Sequence, residues 1–194
     1  MKKNKPKYRQ IIDAAVIVIA ENGYHQAQVS RIAKQAGVAD GTIYLYFKNK
    51  EDILISLFHD KMGHFVDMIE EKIAGKEKAA EKLLMMIETH FKILSEDQHL
   101  AIVTQLELRQ SNKELRQKIN TILKGYLALV DKILIEGKQS GEFSSDLDVR
   151  LARQMIFGTM DETATTWVMN DQKYDLPALA GAVHQLLITG CKNH

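Results

Sequence analysis

The chain has 194 residues, of which 45% are hydrophobic and 26% are charged, enough apolar material for a sizeable core. Two prolines and a single cysteine, Cys191, exclude proline-rich disorder and a secreted disulfide scaffold. The longest apolar run, residues 14–20, is far shorter than the roughly 18 residues that span a bilayer. The basic N-terminal residues lack a cleavage site, so we expect no signal peptide, no membrane partner and a cytoplasmic location.

Helices are predicted throughout, and the expected fold class is all-α with about nine helices. Apolar residues recur at helical spacing between glycine and asparagine boundaries, and no alternating strand pattern or internal repeat interrupts them. Asn49 is the expected N-cap of the long fourth helix. In chain order the predicted segments are residues 8–22, 30–36, 40–47, 50–73, a stretch around 84–94, and residues 101–108, 111–137, 148–169 and 176–189.

Charge is distributed unevenly along this helical chain, although the formal net charge is only +1. Residues 1–50 carry nine basic and three acidic side chains, a net charge of +6, and the remainder has a net charge of −5. A basic head on a mildly acidic body is typical of a module that binds a polyanion. A lysine-rich terminus that only contacts solvent would give the same distribution, so the motifs have to separate the two interpretations.

The first 50 residues carry a pattern typical of a helix-turn-helix. Its second and third helices are joined by residues 36–39, where Gly37 suits a left-handed backbone position. The third helix is then expected in the major groove of DNA. Gly41 would allow close approach of the DNA. The side chains of Thr42 and Tyr44 point in directions roughly 200° apart around the helix, so they can reach a base and a phosphate on different sides. Lys50, at the start of the next helix, would clamp a phosphate.

Residues 11–54 closely resemble the N-terminal domain of TetR-family repressors. The resemblance rests on Ala-Gly-Val at 36–38, Gly-Thr-Ile-Tyr-x-Tyr-Phe at 41–47 and Lys-x-Lys-Glu at 48–51. It implies a homodimeric DNA-binding repressor, not an enzyme, with a helix-turn-helix domain in residues 1–50 and a domain for ligand binding and dimerisation in residues 51–194. Gln28 departs from the family, where a threonine usually caps the second helix. The residues implied to contact operator DNA are Ser30, Arg31, Gly41, Thr42, Tyr44, Tyr46 and Lys50.

Two stretches of the C-terminal part, residues 104–119 and 148–171, resemble the acyl-CoA-responsive repressors of fatty-acid degradation within the same family. This resemblance implies a long-chain acyl-CoA as the inducer and no cofactor. An acyl chain needs apolar lining, and a CoA headgroup needs cations. Leu108 and Arg109 are expected at the end of the short sixth helix, at the mouth of the pocket. The full set of candidate ligand residues is Met85, Phe91, Leu106, Leu108, Arg109, Arg153, Met155 and Phe157.

Simpler explanations remain open for these residues. The apolar side chains could be ordinary core, and the arginines could pair with Glu107, Glu114 or Asp148. A regulator that senses a different hydrophobic ligand or drug is an alternative, although it would need more aromatic and acidic residues than the candidate stretches contain. A helical enzyme or carrier for acyl-CoA would need a catalytic base, and none stands out.

The last two predicted helices are expected to form the homodimer interface, because paired half-sites on DNA require two heads related by a two-fold axis. The candidate interface residues are Met160, Ala164, Trp167, Leu186 and Leu187. No metal site is expected, since His59 and His64 are five residues apart and do not share a helical face.

Overall fold

The computed structural model describes residues 6–191, and this part of the chain contains nine α-helices. They correspond one to one with the predicted segments and confirm the all-α class. The helices are α1 (Pro6–Gln26), α2 (Val29–Gln35), α3 (Asp40–Tyr44), α4 (Lys50–Ile73), α5 (Ala79–Glu96), α6 (Gln98–Leu106), α7 (Lys113–Gln139), α8 (Val149–Met169) and α9 (Ala180–Cys191), with a 3-10 turn at Pro177–Leu179 before α9. In the described range, no helix combines the length and apolarity needed to cross a membrane.

Several helix boundaries follow from the residues that occupy them. Gly23 has φ 71° and ψ 153° and interrupts the helical geometry of α1, where the sequence predicts its end. Asn49 Oδ1 accepts from Asp52 N at 2.8 Å, and Asp52 Oδ2 accepts from Lys48 N at 2.9 Å. This pair is a variant of the capping box in which the returning bond goes to the residue before the N-cap, and it satisfies two backbone donors at the start of α4. Gln28 holds the N-cap position of α2 without a side-chain capping bond.

The end of α6 differs from the prediction. The helix ends at Leu106, so Leu108 and Arg109 lie in the loop of residues 107–112 and not at the helix end. The side chain of Gln110 donates to the backbone oxygen of Glu107 at 3.2 Å, and this bond satisfies a carbonyl that a further helical turn would otherwise use.

The described residues form two compact units. Unit 1 comprises residues 6–61 and 99–122, and unit 2 comprises residues 62–98 and 123–191. The compact body that holds the helix-turn-helix therefore extends past residue 50 and includes a stretch from the middle of the chain. The functional boundary at residue 50 stays a prediction.

The core of unit 1 supports the helix-turn-helix from behind. The predicted inward face of α1 is buried, as are Ile43 and Phe47. The Tyr8 ring stacks on Phe47 with 5.1 Å between ring centroids. Gly37, with φ 62°, adopts the left-handed conformation that the turn between α2 and α3 requires. The inner side of α3 is thus fixed by packing, while its outer side remains accessible.

In unit 2, α5 packs on α8 and α9. The first turn of α5 is held by the Glu142 carboxylate, which accepts from Ala79 N at 2.7 Å and from Ala80 N at 2.9 Å. His184 Nε2 of α9 lies 2.8 Å from the backbone oxygen of Ala80. Side chains at or below 1% exposure fill the interior, among them Phe65, Leu83, Met86, Ile87, Phe91, Leu94, Val130, Ile133 and Met160.

A polar pair lies inside this apolar core. His90 Nδ1 and Tyr126 Oη are 3.0 Å apart, within hydrogen-bond distance, and His90 Nε2 is buried without a partner among the described residues. Burial lowers the pKa of His90 to about 4 and raises the pKa of the Tyr126 phenol. Both side chains are therefore neutral near pH 7.

A close contact in α7 gives a stability prediction. A Cβ atom built on Gly137 would lie 2.8 Å or less from three ring carbons of the buried Phe143. Gly137→Ala should lower the free energy of unfolding by about 1–3 kcal/mol, because the ring has to move in a packed core. Thermal unfolding measures this, with Gly125→Ala of the same helix as control, since a Cβ there meets nothing within 4 Å. Equal stability of the two variants would contradict the prediction.

The buried histidine gives a second prediction, on pH. The His90 pKa falls from its ordinary 6.5 to about 4, so between these values the unfolded chain binds a proton that the folded chain does not. The stability from neutral His90 is complete above pH 6.5 and is lost as pH falls toward 4, at about 1.4 kcal/mol per pH unit. Urea titrations across this window should show a shallower pH dependence for His90→Gln than for the natural chain. Identical slopes would contradict it.

Candidate functional site

The outer face of α3 is accessible to solvent. Tyr44 and Leu45 are 58% and 66% exposed, Gly41 is exposed, and Thr42 is half-buried. A Cβ atom on Gly41 would meet no atom within 4 Å, so packing within the chain does not require a glycine there. Leu45 is absent from the predicted set, because a leucine four residues after Gly41 carries no obvious polar or charged signal.

The other predicted head residues are accessible to different degrees. Ser30 and Arg31 are exposed on α2, and Tyr46 is half-buried after α3. Arg31 Nη1 donates to Asn22 Oδ1 at 2.6 Å, which orients the guanidinium. The planar guanidinium has five N–H donors, so this bond leaves others for DNA.

Lys50 is a structural residue as well as a candidate phosphate ligand. Its Nζ donates to the backbone oxygens of Tyr24 at 3.0 Å and His25 at 2.9 Å, and it lies 4.8 Å from the centroid of the Tyr24 ring. An ammonium group has three N–H donors, so one remains for a phosphate oxygen. The clamp predicted from the lysine alone is therefore built on two carbonyls at the end of α1.

A segment far along the chain belongs to the same unit. Glu107 Oε1 accepts from Tyr24 N at 2.8 Å, across 83 residues of sequence. Lys118 Nζ pairs with Glu51 at 2.7 Å, at the start of α4. Sequence reasoning missed both positions, because a single acidic or basic side chain in a loop or on an exposed helix face has no periodic signal that would point to its partner.

Two of the predicted ligand residues join the aromatic surroundings of the buried polar pair. The centroid of the Phe157 ring is 6.0 Å from that of Tyr126, and the centroid of Phe91 is 6.0 Å from that of His90. Met85 is half-buried on α5. The aromatic cluster of Phe91, His90, Tyr126 and Phe157 lies among helices α5, α7 and α8 of unit 2. Phe91 and Phe157 are the predicted ligand residues that the structure brings into one cluster.

The remaining ligand candidates are placed differently. Met155 is 60% exposed and faces outward on α8, so it does not share the environment of Phe157. Arg153 Nη1 pairs with Asp131 Oδ2 at 2.6 Å, one of the simpler explanations for an arginine, although with a partner that the sequence did not indicate. Leu106, Leu108 and Arg109 belong to unit 1.

The predicted interface residues divide into two sets. Met160, Ala164 and Trp167 are 3% exposed or less and pack in the core of their own chain, so their side chains offer no surface to a second copy. Leu186 is 77% exposed, and Leu187 is half-buried. Leu186 and Leu187 line an apolar groove of about 220 Å³ with Leu151, Met155 and Cys191, between α8 and α9.

The described residues contain no group of three or more His, Cys, Asp or Glu side chains arranged to hold a metal ion. Cys191 is buried, and burial raises the pKa of its thiol. A buried thiol with a raised pKa is a poor nucleophile.

Known proteins resemble this chain over its whole length. Residues 11–57 match the family described as bacterial regulatory proteins, tetR family, and residues 58–190 match the YsiA-like protein, C-terminal region. The fatty acid metabolism regulator protein of Bacillus subtilis (strain 168) is 72% identical over 193 residues, covering 100% of both chains.

Solved structures agree with these matches. The transcriptional regulator FadR from Bacillus subtilis, in complex with stearoyl-CoA, is 73% identical with a TM-score of 0.92, over 94% of this chain and 98% of that one. The fatty acid degradation regulator FadR from Bacillus halodurans is 65% identical with a TM-score of 0.93, over 95% and 100%. The chain therefore belongs to the tetR family of bacterial regulatory proteins, and it is a DNA-binding transcriptional regulator and not an enzyme.

Proposed function

We propose that this protein represses genes of fatty-acid degradation and leaves its operator when a long-chain acyl-CoA binds. The observation that carries the proposal is the 72% identity, along the entire chain, to a fatty acid metabolism regulator. The 73% identical FadR structure contains stearoyl-CoA, which supports the same class of ligand here. A regulator of bacterial operators acts in the cytoplasm, where we place this protein.

The head contacts DNA through the outer face of α3. Thr42 and Tyr44 reach base edges or the backbone, and Leu45 adds an apolar group suited to a thymine methyl. Ser30 and Arg31 extend the contact from α2. Tyr46 and the remaining N–H of Lys50 bind phosphate oxygens.

Gly41 provides the sharpest test of this interface. A Cβ atom at this position meets nothing in the protein, so Gly41→Ala should leave the stability unchanged or slightly raised. On DNA the added methyl group occupies the space of the close approach, and operator affinity should fall about tenfold or more. Fluorescence anisotropy with an operator selected from a randomised duplex pool measures this.

The control is Gly125→Ala, which adds the same methyl group to an exposed helical glycine outside residues 1–50. It should bind the operator like the natural chain. Unchanged affinity of Gly41→Ala would show that α3 does not approach the DNA at this residue.

The acyl chain is expected among the apolar side chains around Phe91 and Phe157. Phe91 is fully buried, so the chain has to displace core side chains as it enters. Each buried methylene contributes about 0.8 kcal/mol, and six further carbons contribute up to about 5 kcal/mol. Chain length therefore decides whether entry is favourable. Arg153 already has Asp131 as counterion, so a phosphate of CoA has to compete for it.

Release from DNA requires that the ligand bind one of two conformations more tightly. Helix α4 begins in unit 1, directly after the recognition helix, and continues into unit 2 beyond residue 61. We propose that the acyl chain shifts α4. In a dimer, such a shift changes the spacing of the two recognition helices, which must match half-sites about one DNA turn apart.

The function is tested by adding acyl-CoAs to the protein–operator complex. Stearoyl-CoA should release the DNA, and acetyl-CoA at the same concentration should not, because it lacks the methylenes that drive entry. Anisotropy of labelled operator reports the release, and chromatography of the recovered thioester should show no turnover. Equal potency of the two thioesters, or stearoyl-CoA binding without DNA release, would contradict the proposal. Release only by a different hydrophobic ligand would favour a sensor of that ligand.

Dimers are typical of the family, and we propose that the outer faces of α8 and α9 form the interface here. Leu186, Leu151 and Met155 are all more than half exposed and border the groove between these helices. A second, open groove of about 670 Å³ follows the outer face of α8, past Met155 and Thr159. A two-fold axis would place the same faces of two copies together and cover the apolar side chains.

The dimer is tested with a charge at the most exposed of these residues. Leu186→Glu should dissociate the dimer, because it buries an unpaired carboxylate at the interface. Light scattering should then report 22.0 kDa, instead of twice that mass for the natural chain. Ile135→Glu, at an exposed apolar residue of α7, is the matched control and should remain dimeric. A natural chain of 22.0 kDa at micromolar concentration would refute the dimer.

A further inference from the structure

We propose that Glu107 is a positioning residue for DNA binding, whose carboxylate holds the helix-turn-helix in its binding geometry from the loop after α6. The inference rests on the proposed function, in that it requires the head to bind operator DNA. It assigns a role to a residue outside the head sequence, in a loop that the predicted interface does not include.

The first step is the bond at the kink of α1. Gly23 leaves helical geometry with φ 71° and ψ 153°, and Tyr24 follows directly, five residues before α2 begins. Glu107 Oε1 accepts from Tyr24 N at 2.8 Å, a charge-assisted bond to the backbone where the chain turns into the DNA-binding module.

The second step connects Tyr24 to the candidate phosphate site. The Tyr24 backbone oxygen accepts from Lys50 Nζ at 3.0 Å, and the Tyr24 ring lies beneath the same ammonium. One residue thus donates its N–H to a carboxylate and offers its carbonyl to an ammonium. These two bonds restrain the peptide groups on either side of the Tyr24 Cα, and both are charge-assisted. The position of Lys50 therefore depends on Glu107 through a single intervening residue.

The third step is that the loop holds the carboxylate in place. Gln110 Nε2 donates to the second carboxylate oxygen of Glu107 and to its backbone oxygen. Arg116 Nη1 donates to the backbone oxygens of Gln110 at 2.9 Å and Ser111 at 3.1 Å. Gln110 is 4% exposed. A side chain fixed by a buried neighbour loses little freedom when it binds, which makes it suited to positioning.

The stretch of residues 107–118 also contacts the chain after the helix-turn-helix, at the start of α4. Lys118 Nζ pairs with Glu51 at 2.7 Å and with Glu114 at 2.8 Å. All three side chains are substantially exposed, so this pair contributes less than the Glu107 bond. Residues 107–118 nevertheless contact the backbone before α2 and the first turn after α3, which are the two ends of the helix-turn-helix.

The proposal predicts a change in DNA affinity opposite to the change that simple electrostatics predicts. DNA repels carboxylates, so deleting an acidic side chain from the unit that binds it should strengthen binding. If Glu107 positions the module, Glu107→Ala should weaken operator binding instead. Glu21→Ala is the matched control, because Glu21 is an exposed carboxylate of α1 in the same unit.

The experiment measures operator affinity without inducer for the natural chain, Glu107→Ala, Glu107→Gln and Glu21→Ala. We expect Glu107→Ala to bind about tenfold more weakly, the fold-change that one charge-assisted bond supports. Glu107→Gln keeps an oxygen that can accept from Tyr24 N and should recover most of the affinity. Glu21→Ala should bind as tightly as the natural chain or more tightly. Amide hydrogen exchange at Tyr24 should be fastest in Glu107→Ala and only slightly faster than natural in Glu107→Gln, because an uncharged amide oxygen accepts a weaker bond than a carboxylate. The comparison of Glu107→Gln with the natural chain is the readout if Glu107→Ala folds poorly.

Glu107→Ala binding as well as Glu21→Ala would overturn the proposal, and so would unchanged exchange at Tyr24 in Glu107→Gln. These results are distinct from failure of the proposed function. That failure would appear in the natural chain itself, as absence of operator binding or absence of release by stearoyl-CoA.

Discussion

The ammonium group of Lys50 is the interaction on which the rest of the DNA-binding unit depends. It joins the last turn of α1 to the first residue of α4 by two hydrogen bonds and a cation–π contact with Tyr24. Helices α2 and α3 lie between these points in the sequence and are too short to be stable alone. Closing the segment at both ends restricts the conformations open to them. The lysine thereby contributes to the fold and to anion binding with the same three N–H groups.

The sequence was sufficient wherever structure depends on neighbours in the chain. The inward face of α1, the left-handed Gly37, the capping residue Asn49 and the burial of Phe47 all follow from spacing and backbone preference, and the structure has each of them. The candidate DNA-contacting face of α3 was predictable for the same reason, since α3 can bury only one side.

The sequence did not predict burial or pairing that depends on how distant parts of the chain pack together. Nothing local distinguishes Met160 and Trp167, which are core, from Leu186, which is exposed, because all three are apolar residues on amphipathic helices. Likewise Arg153 has a carboxylate partner 22 residues away, and Glu107 has its partner 83 residues away. Both pairs join residues that are far apart in the sequence, so the sequence alone does not indicate them. Residue type alone therefore does not tell which of these side chains is in the core and which is on the surface.

The discontinuity of unit 1 has a consequence for how such proteins can be recombined. A graft that exchanges only residues 1–50 between two relatives separates Tyr24 from the Glu107 it was matched with and Lys50 from the α4 sequence that follows it. Unit 1 is instead formed by two separate stretches, residues 6–61 and 99–122, which are encoded by two separate parts of the gene. A chimera that transfers both stretches keeps the recognition surface and its support together. Substitutions in one stretch are then expected to be compensated in the other, although nearly 40 residues of chain lie between them.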